Sequence, residues 1–297
     1  MNYVVMMSTN IMAKANRVYK TKVPVTKNQQ VEAEVVDITY QGMGVIKIDN
    51  FPIFVIDAIP GEVVQVGITK VLKSYAFGRV IKRVKASPNR AENVDKVAIT
   101  TGIAPLANLK YEAQLTFKQR QVEQLFKKVN VSVEVNPTIG MTDPTKYRNK
   151  AQVPVQMVNG QLETGFYRRG SHKLMPVEDF YIQDPKVDEA VSVTRDVLRD
   201  LGISAYDEET HKGVVRHIMA RRGFYSHELM VVIITNTKKL PEADNIAAAL
   251  RAKLPELKSF IHNINNHDTN VIMGQWNETV WGADEIHDQL MGKDFII

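Results

Sequence analysis

From Gln30 the chain alternates apolar and polar residues in short runs separated by turn residues. VEAEVVDIT leads into the turn YQGMG, then VIKI, a turn at Asp49-Asn50, FPIFV, the turn IPGE, VVQVGITKVL and AFGRVIKRV. About five short strands within about 60 residues, punctuated by Gly and Pro, predict a small OB-like β-barrel over residues 27–86. Residues 1–26 lack this texture and are expected to form a flexible N-terminal tail. Ser87-Pro88-Asn89-Arg90 reads as a linker into residues 87–297. There LKYEAQLTFKQRQVEQLFKKV sets Tyr111, Leu115, Val122, Leu125, Phe126 and Val129 at helical spacing, an amphipathic helix over 108–129 whose apolar stripe needs a partner surface.

The remainder alternates strand pairs with helices. KYRNKAQVPVQMVNGQLETGFYRRGSHKLMPV reads as two strands around a turn at Asn159-Gly160, the strongest short hairpin signal. KVDEAVSVTRDVLRDLG, residues 186–202, is a second helix closed by glycine. GVVRHIMARRG and LMVVIITN form a second hairpin with GFYSHE at its tip, and EADNIAAALRAKL is a third helix. SFIHNINN and NVIMG are further strand candidates. The fold class expected is α+β, an OB-like barrel followed by a mixed α/β central domain.

Composition narrows the chemistry. The 297 residues are 44% hydrophobic and 24% charged, ordinary for a globular protein. No apolar run approaches the roughly 18 residues of a membrane span. The opening MNYVVMMSTNIMAKANR is not a convincing signal peptide, because its apolar stretch is polar-interrupted and its charges follow it, so a cytoplasmic protein is expected. Met1, Met6, Met7 and Met12 leave the start codon open. The absence of cysteine excludes disulfides, thiolate metal sites and cysteine nucleophiles within this chain. The net charge of +5 is uneven: residues 1–90 carry 13 Lys/Arg against 6 Asp/Glu, whereas residues 241–297 carry 4 against 9. A basic front end suits a polyanion such as a nucleic acid.

Candidate chemistry is therefore sought in cations and rings. KSYAFGRVIKRVK interleaves Lys73, Tyr75, Phe77, Arg79, Lys82 and Arg83, the mixture with which OB-like barrels stack bases and track phosphates. The same residue types on an edge strand also serve simply to block aggregation. There is no glycine-rich phosphate loop after a strand, no G-x-S-x-G and no H-E-x-x-H. His211 with His217, and His262 with His267, lack metal-ligand spacing, and Asp207-Glu208-Glu209 reads as a solvated turn. No stretch reads as a reaction centre.

Several phrases in order resemble the RNA uracil-C5 (5-methyluridine) methyltransferases with an N-terminal TRAM domain, closest to the Gram-positive 23S ribosomal RNA branch. They are DITYQGMGV and IPGEVV in the barrel, LKYEAQLTFK, PTIGMTDPTKYRNKAQVPV, LETGFYRRGSHKLMPV, YIQDP, GVVRHIMARRG and HNINNHDTNVIMG. The resemblance implies structured RNA, 23S ribosomal RNA first, as partner and S-adenosylmethionine as the family's methyl donor. Flipping of the target base is expected, because C5 and C6 must be reached from outside the stack. It also implies RNA contacts for Tyr147, Arg148 and Lys150, for Phe166, Tyr167, Arg168, Arg169 and His172, and for Arg216, Arg221 and Arg222. Arg148 and Lys150, at i and i+2, would share one face of a strand.

Two departures from the family's pattern shape the expectation. Many relatives hold a [4Fe-4S] cluster on four cysteines; counting along the motifs puts Asp95, Thr101, Ala104 and Phe180 at those positions, so no cluster is expected. The family's donor loop and its cysteine nucleophile for uracil C6 belong to a Rossmann-like domain, and neither appears before Ile297. The chain is thus expected to be a truncated, RNA-recognising portion without a donor site or catalytic residue, inactive alone. In that reading the helix over 108–129 and the C-terminal end lie beside the missing domain. A stand-alone, non-catalytic RNA-binding protein and a decayed gene product are the alternatives.

Overall fold

The computed structural model describes residues 23–297. Six strands form the first sheet: β1 (Gln30–Glu34), β2 (Asp37–Ile38), β3 (Gly44–Ile48), β4 (Phe51–Ile56), β5 (Val63–Val71) and β6 (Ala76–Lys85). Their order is β1-β5-β6-β4-β3-β2, with β4 and β6 parallel and the other pairs antiparallel. The two edge strands are consecutive in the chain, separated only by Val35 and Val36. Val35 N–H donates to the Glu62 carbonyl at 2.8 Å and Val36 N–H to the Val45 carbonyl at 2.9 Å, so the sheet curls onto itself. Alternation along β5 sends Val64, Val66 and Ile68 inward against Ile46, Ile53 and Val55. Val25 is 2% exposed in this same core. The expected flexible tail therefore reaches too far at its C-terminal end, and its residues 1–22 lie outside the described residues.

A connecting layer follows. The short helix α1 (Lys96–Thr101) starts at Asp95, whose carboxylate accepts the Ala98 N–H at 2.9 Å, and stops at the left-handed Gly102. Helix α2 (Tyr111–Lys128) has no fully buried residue. Its N-terminal half sets Ala113 and Phe117 against Ile38, Ile59 and Leu109 beside the barrel. Residues 131–141 return along it: Thr138 Oγ1 donates to the Leu115 carbonyl and Gln119 Nε2 to that of Val135, both at 3.0 Å. The predicted stripe is thus divided. Tyr111 and Leu115 are partly covered by the return segment near Gly140, while Val122, Leu125 and Phe126 stay exposed.

The second sheet has the order β13-β12-β11-β10-β7-β8-β9. Its strands are β7 (Lys150–Val158), β8 (Gln161–Tyr167), β9 (Leu174–Pro176), β10 (Val215–Arg222), β11 (Leu229–Thr235), β12 (Leu257–Ile264) and β13 (Trp276–Gly282). Asn159 and Gly160 both have positive φ, as a two-residue type I′ turn between β7 and β8 demands. Only β11 and β12 run parallel, joined by α4 (Ala243–Lys253) as a βαβ crossover. All seven residues of β11 are buried, which is why its first six, LMVVII, are an unbroken apolar run. Helices α3 (Pro185–Asp200) and α4 cover one face over Val153, Ile218, Val231, Ile233 and Phe260. On the other face Met219, Met230, Val232, Ile234 and Ile261 meet Ile286, with Met273 and Ile297 alongside. A hairpin of β14 (His287–Leu290) and β15 (Lys293–Ile296) completes the described chain.

One strand expectation fails. NVIMG does not join the ladder, because the side chains of HNINN hold it instead. Asn263 Nδ2 donates to the Gly274 carbonyl at 3.0 Å while its Oδ1 accepts the Gly274 N–H at 2.8 Å. Asn265 Nδ2 reaches the carbonyls of Val271 and Ile272. Amide side chains that satisfy backbone groups this way replace a strand partner.

Candidate nucleic-acid interface

On the outer wall of the barrel, strand pairing brings Phe54 of β4 opposite Phe77 of β6 and Phe77 opposite Lys70 of β5. Directly opposed residues share a face. The rings of Phe54, Tyr75 and Phe77 form a mutual cluster, with centroids 5.6, 6.0 and 5.5 Å apart in edge and tilted geometry. All three rings are half-buried, so each keeps solvent-facing surface, and the exposed Lys47 of β3, Lys70 of β5, Arg79 of β6 and Lys73 of the β5–β6 turn accompany them. Tyr75, Phe77, Lys73 and Arg79 were expected here from the sequence. Phe54, Lys47 and Lys70 were not, because they lie on other strands and only pairing reveals them.

Arg83 departs from that group. Its Nη2 donates to the Asp57 carbonyl at 2.8 Å, and it sits beside Glu62 together with Arg90. Arg90 donates to both Glu62 oxygens, at 2.6 and 3.0 Å, and to Asp57 at 3.0 Å. Glu62 has no exposed surface. Burial pushes its carboxyl up, but the bonds from Arg90 and the Ile59 N–H outweigh this and hold it below the usual carboxylate range. Arg83 is therefore part of the clamp between barrel and linker, while Lys82 remains exposed.

The central domain sorts its predicted residues more severely. Tyr147 is 54% exposed and Arg148 is exposed too. Arg148 precedes β7 rather than lying in it; its N–H pairs with Ile182, and its Nε donates to the Lys150 carbonyl at 2.9 Å. Lys150 pairs across to Arg221 on β10, so these two cations are neighbours on the sheet face away from α3 and α4. In FYRRGSH, Phe166 packs edge-on to the buried Phe180 at 5.0 Å. Arg169 donates to the Gln41 carbonyl at 2.9 Å, linking the barrel's β2–β3 turn to α1, where Gly42 approaches Pro105 and Gly102 leaves room for the guanidinium. Burial lowers the Arg169 pKa. Tyr167 is pushed up to about 12 by burial and by the nearby Glu208 charge. His172 Nδ1 also lies 3.2 Å from Glu208, leaving Arg168 and His172 as the exposed members.

Two arginines expected to contact RNA are occupied structurally. Arg216 is buried, donating to the carbonyls of Asn265 at 2.9 Å and His267 at 2.7 Å, with its guanidinium 4.8 Å from the Tyr206 ring centroid. Arg222 pairs with Glu256 at 2.7 Å and Asp184 at 3.4 Å. Both guanidinium groups are thus engaged by partners within the protein. Beyond them Phe224 and Tyr225, at the β10–β11 tip, are 65% and 61% exposed with ring centroids 5.0 Å apart. Asp288 fixes the tip by accepting both their N–H groups, at 2.8 and 2.9 Å.

The four positions corresponding to the family's iron–sulfur ligands do not fit a cluster. Asp95 caps α1, Thr101 Oγ1 donates to the Val97 carbonyl at 2.7 Å, Ala104 N–H closes onto the Ala98 carbonyl and Phe180 is core. No side chain there offers a thiolate. Among the described residues, no helix is long and apolar enough to cross a membrane.

Residues 24–81 match the TRAM domain family model. The chain is 53% identical to a protein of Lactiplantibacillus plantarum described as an uncharacterized RNA methyltransferase, over 94% of this chain and 61% of the relative. A like-described protein of Enterococcus faecalis is 42% identical over 92% of this chain and 60% of its own length. The chain thus spans about 60% of the length of the curated relatives it matches. Among solved structures it is similar to the Pyrococcus abyssi tRNA (uracil-54, C5)-methyltransferase in complex with S-adenosyl-L-homocysteine, with TM-score 0.68 and 21% identity over 90% of this chain and 59% of that one.

These matches correct the expectation of a truncated, inactive remnant lacking a methyltransferase fold. Nearly the whole chain aligns with RNA methyltransferases, and its barrel and mixed sheet follow the fold of one across 90% of the chain. The same matches correct the denial of a donor site, which was based on the family's donor loop and cysteine not being found, and the non-catalytic alternative. By sequence the chain is similar over almost its full extent to RNA methyltransferases, and by fold to a tRNA uracil-C5 methyltransferase.

Proposed function

We propose that this protein serves the S-adenosylmethionine-dependent methylation of uracil C5 in structured RNA, and that the described residues hold that RNA. The observation that carries the RNA half is the Phe54–Tyr75–Phe77 cluster among exposed cations, on a barrel that matches the TRAM domain. Rings accept unpaired bases of any sequence, and the cations neutralise phosphates. The methyl-transfer half rests on similarity to RNA methyltransferases over 94% of the chain. A second group lies on the central domain: Tyr147, Arg148, Lys150, Arg221, Arg168 and His172. Contacts on two units position a folded RNA better than one patch, since each phosphate contact fixes register. In the reaction the donor's methyl passes to C5, which loses its proton. No residue of this chain is assigned to that step.

On motif resemblance 23S ribosomal RNA is the first target, within the cytoplasm. Transfer RNA is the second, favoured by the substrate named for the solved neighbour. The test supplies the protein with methyl-labelled S-adenosylmethionine and either RNA, then digests to nucleosides. Label in 5-methyluridine from one RNA identifies the target. Label in neither, together with no salt-dependent RNA binding, rejects the proposal.

A further inference from the structure

A cleft of about 270 Å³ opens between the start of α2 and the segment leading into β7. Its walls include Tyr111 and Gln114 from α2, Tyr147 and Met141 from the segment, and Tyr181 from the turn before α3. The exposed Lys118 is also among its lining residues, and the exposed Arg148 follows Tyr147 directly. Three tyrosines from three separate parts of the chain converge on one small space. It lies below the roughly 300–1,000 Å³ of drug-sized pockets, which suits a single planar ring.

The cleft is held open by its own hydrogen bonds. The Tyr111 hydroxyl accepts the Met141 N–H at 2.8 Å, tying the two walls together. Gln114 Nε2 donates to the Leu109 carbonyl at 3.0 Å, which fixes the amide plane. Its Oε1 accepts no hydrogen bond from the described residues and is left to receive one from an occupant. Burial, then the charges of Asp95 and Asp143, raise the Tyr181 pKa, so that ring stays neutral and stackable. Tyr147, another lining residue, is exposed.

We propose that this cleft is a slot for one unpaired RNA base, stacked on Tyr147 and hydrogen-bonded to Gln114, with its phosphate held by Lys118 and Arg148. The inference rests on the RNA reading above. An aromatic slot accompanied by exposed cations matches the division of a nucleotide into flat ring and anionic backbone. Gln114 Oε1 as an acceptor meets an N–H donor, which the edge of every RNA base carries, so the slot admits any of the four.

The test uses a hairpin RNA with a randomised loop, with and without 2-aminopurine in the loop. Binding is followed by anisotropy and stacking by fluorescence quenching. The slot predicts quenching with the wild-type protein, its loss in Tyr147→Ala and its retention in Tyr147→Phe. Affinity falls about 5- to 150-fold in Tyr147→Ala, the range for loss of one base–aromatic stack. Met141→Trp, which fills the cleft without removing a wall, loses the quenching as well. Salt-dependent binding that is unchanged in Tyr147→Ala and Met141→Trp overturns the slot and leaves the RNA reading standing. No binding of the hairpin at any salt concentration overturns both.

Discussion

The barrel wall and the arginine-rich strands of the central domain are written in the same residues and end differently. On the barrel, Lys70, Lys73 and Arg79 stay exposed beside three half-buried rings. In the central domain Arg169, Arg216 and Arg222 have become internal fasteners, bound to carbonyls or carboxylates. The difference follows from position. A cation on the outer face of a one-layer barrel meets water, while one on a strand bordered by loops on several sides meets backbone carbonyls that need donors. A basic-aromatic stretch in a sequence therefore identifies residues able to bind RNA, not those free to do so.

The largest expected effect breaks a fastener. Glu62→Ala leaves Arg83 and Arg90 without their buried partner and should cost about 3–5 kcal/mol in urea unfolding, as broken buried ion pairs do. Arg216→Met strips donors from buried carbonyls and should cost about 1–3 kcal/mol, with the salt slope of RNA binding unchanged. A changed slope would return Arg216 to the RNA surface. Tyr75→Leu keeps apolar bulk but removes a stacking ring. It should weaken RNA binding by about 1–3 kcal/mol while leaving the melting temperature nearly constant, measured by anisotropy alongside a thermal melt.

A subtler contrast concerns Asp188, which accepts the Phe180 N–H and a Gln183 donor, both at 3.0 Å. Burial is the main cause that raises its pKa to about 7, against the opposing Phe180 bond and Lys146 charge. A carboxyl raised in the folded state binds its proton more tightly there than when unfolded. Stability from this group is therefore full below the unfolded pKa of about 4 and falls as pH rises towards 7. Unfolding midpoints between those pH values should decline in the wild type and flatten in Asp188→Asn. The smallest effect belongs to Arg168→Ala: stability within about 0.5 kcal/mol, and a salt slope of RNA binding lower by about 1.

Much of the fold was legible because it is written locally. The Asn159-Gly160 turn, the α3 span ending before Gly202 and the alternation along β5 each depend on residues within a turn or two. NVIMG reads as a strand and is not one, because Asn side chains of HNINN take the place of a strand partner, and no periodicity registers that. Tyr147 and Arg148 were readable as surface candidates from their motif. Phe54 was not, since it sits in FPIFV, a run that reads as core on both faces.

The sequence by itself determined the strand and helix texture, the cysteine-free chemistry and a supply of cations and rings suited to RNA. Only the tertiary structure decided which of those residues are spent inside. Arg216 and Arg168 are indistinguishable as letters, and the chain's return past Asn265 and His267 buries one and not the other. Cross-strand register assembled Phe54 with Phe77, and Lys150 with Arg221, from distant segments. Periodicity fixes which face a side chain occupies; what lies against that face is a long-range fact, settled when separate segments pack.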